Sequence, residues 1–294
     1  MFFSYEKCRI ILDNSDDYMT LNHPLLINWN INGKCQNSCI YCFANDYIFM
    51  EDIVYESEIN NIIDSIKKLT PLVVVISGGE PLLYSKLKFL LNKLVQFCNV
   101  VIDTNGLCLD EDFILYCKNN KILIRVSLDD YRGYINDNIR LSSIKNSTDI
   151  ILKKIYMLLE LDANFIIHTV LSNNNMESII EFAKTLLFMQ IKFWEIQVVI
   201  PYNDDKEKLH KKINEIEEFF EKSKNKITIK IHNNYDDEKC IILINPRGEF
   251  LTRKTNSLKK EFIDCNNINN PKLDVLMSVL DIKNHFKRYT DNII

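Results

Sequence analysis

The sequence predicts an α/β fold made of parallel β/α units, a barrel or an incomplete barrel. Three observations predict it. Short β-rich apolar runs alternate with longer segments of helical period. The runs are continuously apolar rather than alternating, as strands covered by helices are. The polar motifs fall just after the runs, and parallel barrels keep their reactive groups at the carboxyl ends of the strands.

Residues 25–31 are the first run and lead into Cys35-Gln36-Asn37-Ser38-Cys39-Ile40-Tyr41-Cys42; residues 55–69 follow, with Ile59, Ile62, Ile63 and Ile66 at helical spacing. Residues 72–76 form the second strand, followed by a helix near 83–97. Residues 100–103 pair with a short helix near 111–118, residues 122–127 with 148–161, and residues 165–171 with 176–189, while 193–200 open a sixth unit. After Pro201 the rhythm changes. Residues 204–224 read as an amphipathic helix with Leu209, Ile213, Ile216 and Phe220 on one side, and 227–231 as a short strand. Residues 240–245 and 249–252 flank Asn245-Pro246-Arg247-Gly248, a hairpin signal; 266–271 is a loop and 273–289 a final helix. The expected division is an N-terminal extension (1–22), a core (23–201) and a C-terminal α+β extension (202–294).

With 294 residues, 47% of them hydrophobic, the chain can bury one large core, and a net charge of -4 argues against a nucleic-acid partner. The basic cluster at His210, Lys211 and Lys212 is offset by Glu207, Glu215, Glu217 and Glu218 and reads as a solvated helix face. Nine cysteines is an odd number without the dense even spacing of a secreted disulfide scaffold. No apolar core of a signal peptide opens the chain and no apolar run approaches the length of a membrane span. A soluble cytoplasmic protein with no membrane partner is expected.

Cys35, Cys39 and Cys42 stand at C-x3-C-x2-C spacing with no nearby fourth thiol. A cubane iron–sulfur cluster takes one thiolate per iron, so three leave one iron open to an outside chelator carrying an amine and a carboxylate. The same spacing also suits a zinc site, or a ferredoxin-type cluster completed by Cys8 or Cys108. Cys8, Cys98, Cys108, Cys117, Cys240 and Cys265 are expected to be structural thiols, since free cysteine commonly packs as a small hydrophobe.

The C-x3-C-x-aromatic-C pattern at Cys35, Cys39, Tyr41 and Cys42 resembles the signature of the radical S-adenosylmethionine (SAM) enzymes. Three further elements follow in that family's order: Ser77-Gly78-Gly79-Glu80-Pro81 resembles its GGEP element, Asp103-Thr104-Asn105-Gly106 its TNG motif, and Ser127-Leu128-Asp129 its SLD motif. The resemblance runs from about Ile27 to Asp129, and in strand rhythm to about Pro201. It implies a partial (β/α)6 TIM-type barrel whose lateral opening admits large substrates, and an oxidoreductase that uses a [4Fe-4S] cluster and SAM.

Residue by residue, the resemblance implies that Cys35, Cys39 and Cys42 hold the cluster, with one iron left open, and that Tyr41 walls the loop. Ser77, Gly78, Gly79 and Glu80 would approach the cofactor, Glu80 accepting from its ammonium group. Asn105, Ser127 and Asp129 would contact ribose or carboxylate, and Arg140 would pair with the cofactor carboxylate. His168 reads as a satisfied barrel histidine rather than a base, and Trp194 as wall packing near the adenine or as core. The chemistry implied is reductive cleavage of SAM to a 5′-deoxyadenosyl radical that takes hydrogen from a substrate, fed by a low-potential donor such as flavodoxin or ferredoxin. Similar enzymes with further clusters carry close C-terminal cysteines; here Cys240 and Cys265 are too few, so one cluster is expected. The favoured substrate is a ribosomally made peptide or protein. A viperin-like small-molecule (nucleotide) reading stays open, with Lys34, Arg125, Arg247 and Arg253 as phosphate contacts, as does a non-catalytic iron–sulfur or zinc scaffold.

Overall fold

A computed structural model describes residues 1–12, 19, 21–198, 206–222, 227–233, 240–253, 260–262 and 273–290. A small hairpin, β1 (Phe2–Ser4) and β2 (Arg9–Ile11), precedes the core. The core strands are β3 (Leu26–Asn30), β4 (Val73–Ser77), β5 (Asn99–Thr104), β6 (Leu123–Ser127), β7 (Phe165–Leu171) and β8 (Phe193–Val198). Between them lie α1 (Glu56–Leu69), α2 (Leu87–Leu94), α3 (Glu111–Asn119), α4 (Gly133–Arg140), α5 (Ser147–Glu160) and α6 (Ile179–Phe188). The remainder is α7 (Lys206–Lys222), β9 (Thr228–Asn233), β10 (Ile242–Ile244), β11 (Phe250–Arg253), β12 (Lys260–Phe262), α8 (Leu273–Val279) and α9 (Ile282–Thr290).

The strand order is β12-β11-β10-β3-β4-β5-β6-β7-β8-β9, and the eight strands from β10 through β3 to β9 are mutually parallel. The strands after residue 201 therefore do not make a sheet of their own: β9 extends one edge, while β10 inserts beside β3 at the other and carries the expected hairpin with β11. Among the described residues no ladder joins β9 to β10, so the parallel array is a partial barrel rather than a closed one.

Local chemistry explains the elements. In β4, Val73-Val74-Val75-Ile76-Ser77 is buried throughout, as a central parallel strand demands. In α1, Ile59, Ile62, Ile63 and Ile66 are buried, Glu56 and Glu58 lie in the first turn and Lys67 and Lys68 in the last, which suits the helix dipole. Asp110 caps α3 by accepting from the Phe113 N–H at 2.8 Å. Two segments differ from the expectation. The final helix breaks at Leu280–Asp281, because Asp281 accepts from the Asn284 N–H at 2.9 Å and so caps a new helix, α9. The second helix starts at Leu87, since Pro81–Leu83 form a separate 3-10 turn. The end of the strand at 193–200, the loop at 266–271 and Cys265 lie outside the described residues.

One face of the sheet packs on helices through Ile27, Ile76, Ile102, Ile124, Ile167 and Trp194. Trp194 is core here: its indole N–H donates to Thr169 Oγ1 at 2.8 Å and its ring meets Phe182 and Phe220 edge-on. The inner face changes character along the strands. Toward the amino ends Val73, Val75, Val101, Leu123 and Ile166 pack with Ile10, Leu21, Phe286 and Tyr289, so the N-terminal hairpin and α9 plug that end. Toward the carboxyl ends the same face carries Asn30, Ser77, Asp103, Arg125, Ser127, His168 and Glu195.

His285 anchors the plug. Fully buried, it accepts from the Leu25 N–H at Nε2 (2.9 Å) and contacts the Cys240 carbonyl through Nδ1 (2.6 Å), which sets the neutral Nδ1–H tautomer. Burial lowers its pKa to about 4. Between the unfolded value near 6.5 and about 4 the unfolded chain binds the extra proton, so this contribution, about 3 kcal/mol, is present above pH 6.5 and lost as pH falls. His285→Ala strands two buried backbone groups and should cost about 2–5 kcal/mol at pH 7 in denaturant titration, with a shallower loss of stability from pH 6.5 to 4.

Candidate active site

The cysteine loop is clamped from two sides. On one, the backbone after β4 hydrogen-bonds that before Cys35: Ile31 N–H to Ser77 O (2.9 Å), Gly79 N–H to Asn32 O (2.9 Å) and Glu80 N–H to Lys34 O (2.7 Å). A Cβ on Gly79 would lie 2.1 Å from the Lys34 carbonyl oxygen, and one on Gly78, whose φ is +141°, 2.6 Å from that of Asn32. The glycine pair is thus required for direct contact between two backbones. On the other side Ser38 and Ile40 donate to the carbonyls of Leu141 and Ile139 (3.2 and 3.0 Å), and Ser143 donates to Gln36 (2.8 Å). Arg140 sits between those acceptors as the last residue of α4, a helix that the sequence pattern did not disclose.

The three thiols share this loop and one electrostatic environment. Burial pushes Cys39 up to about 11 and Cys35 upward, with Cys42 adding a like-charge contribution to each and Arg140 opposing the rise at Cys39. Among the described residues no group of three His, Cys, Asp or Glu side chains converges on a single metal ion. The donor chemistry fits a cluster: three soft sulfur donors, with a capacity for iron that offsets the cost of ionising buried thiols. Asn105 reaches the same loop, its Nδ2 lying 3.0 Å from Gln36 Oε1 and 3.8 Å from Cys35 Sγ.

Glu80 is fully buried beneath Asn105. Its Oε1 accepts from Thr104 Oγ1 (2.8 Å) and the Leu82 N–H (3.1 Å), and its Oε2 from the Asn105 N–H (2.7 Å). Burial nonetheless raises its pKa to about 7. Ser77 donates to Asn30 Oδ1 at 3.0 Å, which places it on the inner face at the end of β4.

Asp129 is also fully buried, and protein donors saturate it: Oδ1 accepts from the Val170 N–H (2.8 Å), and Oδ2 from the Tyr41 hydroxyl and from Arg140 Nη1 (3.2 Å). Asp129 is therefore a brace joining the cysteine loop, β6, β7 and α4. Arg140 is 5% exposed and also donates to the Tyr41 hydroxyl at 3.0 Å, while its Nε is buried without a partner. That atom is the sign of a missing acceptor. Ser127 ends β6 in register with His168.

Several supporting residues escaped sequence reasoning: Asn136, which accepts from the Asp129 N–H at 2.9 Å; Asn175, which donates to the Asp129 carbonyl at 3.0 Å; and Gln36, which donates to Cys108 Sγ at 2.9 Å. These carry no local signal, whereas Thr104, which holds Glu80, is the first residue of the TNG motif. Arg125, offered above as a phosphate contact, is instead fully engaged, with Nε and Nη2 on Asp103 (both 2.6 Å) and Nη1 on Glu195 (2.9 Å).

Comparison with known proteins agrees with this architecture. The family model of the radical SAM superfamily matches residues 29–186. An uncharacterized protein of Methanocaldococcus jannaschii is 30% identical over 182 residues, covering 58% of this chain and 61% of that protein. A probable GTP 3′,8-cyclase of Methanothermobacter marburgensis is 30% identical over 95 residues, 31% of each chain. The chain thus spans less than two thirds of either relative. Among solved structures, anSMEcpe with bound AdoMet superposes with a TM-score of 0.72 at 16% identity over 90% of this chain and 82% of that one. Streptococcus suis SuiB bound to its precursor peptide SuiA gives 0.70 at 18% over 92% and 68%. With its partial parallel barrel, its three-thiol loop and a family match over more than half its length, this chain belongs to the radical SAM superfamily.

Proposed function

We propose that this protein is a single-cluster radical SAM enzyme that modifies a peptide or protein. When bound, the [4Fe-4S] cluster and SAM supply one-electron reductive cleavage of a carbon–sulfur bond and hydrogen abstraction by the resulting 5′-deoxyadenosyl radical. Cys35, Cys39 and Cys42 would hold the cluster. The observation that carries the cofactor assignment is the unpartnered edge of Arg140: buried, held by Asp129 and Tyr41, it is suited to a carboxylate. Glu80 would take the ammonium group, and Asn105 and Ser127 line the approach at neighbouring strand ends. A low-potential flavodoxin or ferredoxin would supply the electron.

Two observations support a peptide. Solved structures of similar fold contain peptides, Cp18Cys in anSMEcpe and SuiA in SuiB. The segment after Cys39 also exposes Ile40 (50%), Phe43 (52%), Ile48 (47%) and Phe49 (93%), an apolar surface suited to a macromolecular partner. The partial match to a probable GTP 3′,8-cyclase favours a nucleotide instead. Against it, Arg125 is consumed by two carboxylates, and Lys34 is solvent-exposed beside Asp52.

The test is anaerobic reconstitution with iron and sulfide, reduction, and chromatography for 5′-deoxyadenosine, with peptides or nucleoside triphosphates added. Absence of 5′-deoxyadenosine under strong reductant would return the protein to the scaffold reading; stimulation by a triphosphate alone would favour the nucleotide one. A pH effect is also expected. Because Glu80 ionises near pH 7, its attraction for an ammonium group is present above that pH and lost below it. SAM should bind roughly tenfold more tightly at pH 8 than at pH 6 by equilibrium dialysis, and Glu80→Gln should weaken binding at pH 8 by about 10–100-fold and flatten the dependence.

A further inference from the structure

On the inner face one row of residues runs in register across four strands: Ser127, His168, Glu195 and Lys230. Residues paired in register point to the same side of a sheet, so these groups share one surface with Asp103 and Arg125. Every charge there is answered within the protein. Arg125 lies between Asp103 and Glu195; Glu195 also meets His232 Nε2 at 2.7 Å; and Lys230 donates to the Tyr289 carbonyl at 3.1 Å.

His168 is the exception. The residue is half-buried, and its Nε2 is buried without a hydrogen-bond partner. A buried polar atom left unpaired in a folded protein calls for a partner that the chain itself does not supply. Burial and the adjacent Arg125 both lower its pKa, so the imidazole is neutral at pH 7, with one nitrogen a donor and the other an acceptor. An incoming anion would face the carboxylates of Glu195 and Asp103, and a cation would face Arg125. An amide has no net charge and offers both a donor and an acceptor.

We propose that His168 is a substrate contact: a neutral imidazole on the inner wall that hydrogen-bonds an amide of the peptide substrate. This rests on the peptide reading above and narrows it to a residue and a functional group. It also replaces the expectation that His168 is internally satisfied.

The experiment uses the full chain, reconstituted anaerobically with iron and sulfide, saturated with SAM and labelled with 15N at its five histidines. The His168→Gln spectrum identifies the His168 ring resonances. N-acetylalanine N-methylamide, an uncharged dipeptide, is then titrated in, and separately inorganic tripolyphosphate. The expected result is a saturable shift of the His168 ring nitrogens with the dipeptide and none with tripolyphosphate. Ligand-observed saturation transfer should show dipeptide affinity falling about tenfold in His168→Phe and staying within about threefold in His168→Gln, which keeps a donor and an acceptor. No His168 shift up to the solubility limit of the dipeptide, or a saturable one with tripolyphosphate, overturns the proposal. Formation of 5′-deoxyadenosine by the wild-type protein without dipeptide is scored separately. Its absence would count against the radical SAM activity itself, whereas its presence without a His168 shift counts only against the contact.

Discussion

Cys39→Ala is expected to abolish cluster assembly and to reduce 5′-deoxyadenosine formation by more than about 100-fold. Loss of a residue that merely supports a metal ligand typically costs 10–100-fold, and Cys39 is itself a proposed ligand. Of the three thiols it has the least room for a substitute: it is 9% exposed, and the loop around it is tied to Ile139 and Leu141 on one side and to the segment after Ser77 on the other. Water or an added thiol therefore has poor access to the vacated coordination position. Iron and sulfide content, the electron paramagnetic resonance signal of the reduced protein and chromatography of the products check this. Cys117→Ala supplies the contrast: Cys117 is 1% exposed among the helices, so its loss should lower stability modestly while iron content stays at the wild-type level. If Cys39→Ala kept both its iron and its product, the three-thiol assignment would be wrong.

Asp129→Ala should destabilise the protein by about 3–5 kcal/mol, the usual result of removing one partner from a buried ion pair. The charge on Arg140 would stay buried with no counter-ion, and the Val170 N–H and Tyr41 hydroxyl would each lose an acceptor. Asp129→Asn keeps the shape and one acceptor, so a smaller loss is expected. Both variants should weaken SAM binding, because Asp129 aims the Arg140 guanidinium. Denaturant titration gives the stability change and equilibrium dialysis the affinity. A loss of affinity in Asp129→Asn without gross unfolding would separate the aiming of Arg140 from the bracing of the fold; unchanged affinity would remove Arg140 from the cofactor site.

The parts of this architecture legible in the sequence are those whose signal is local. The helical spacing in α1 and the uninterrupted apolar stretch of β4 announce their elements directly, and the cysteine spacing and GGEP residues announce the family within eight and five positions. What stayed hidden depends on distant partners. Nothing near residue 243 says that Leu243 will pair with Asn28 on the opposite edge from β9. Arg125 on an apolar strand looks available for phosphate until the register sets it between Asp103 and Glu195. Arg140 is singled out in the sequence by resemblance alone, because the eight residues of α4 form a short polar helix; its partners emerge only when the fold brings Asp129 and Tyr41 to it.

The glycine contact between the two loops has a thermodynamic corollary. Because Gly79 and Glu80 hydrogen-bond the chain immediately ahead of Cys35, the segment proposed to take an amine cannot shift without pulling on the one proposed to hold iron. On the proposed roles iron loading and cofactor capture are coupled equilibria, and if one strengthens the other, reciprocity makes the factor the same in both directions. Metal-free chain should accordingly be a poor receptor for SAM, even with Glu80 and Arg140 intact.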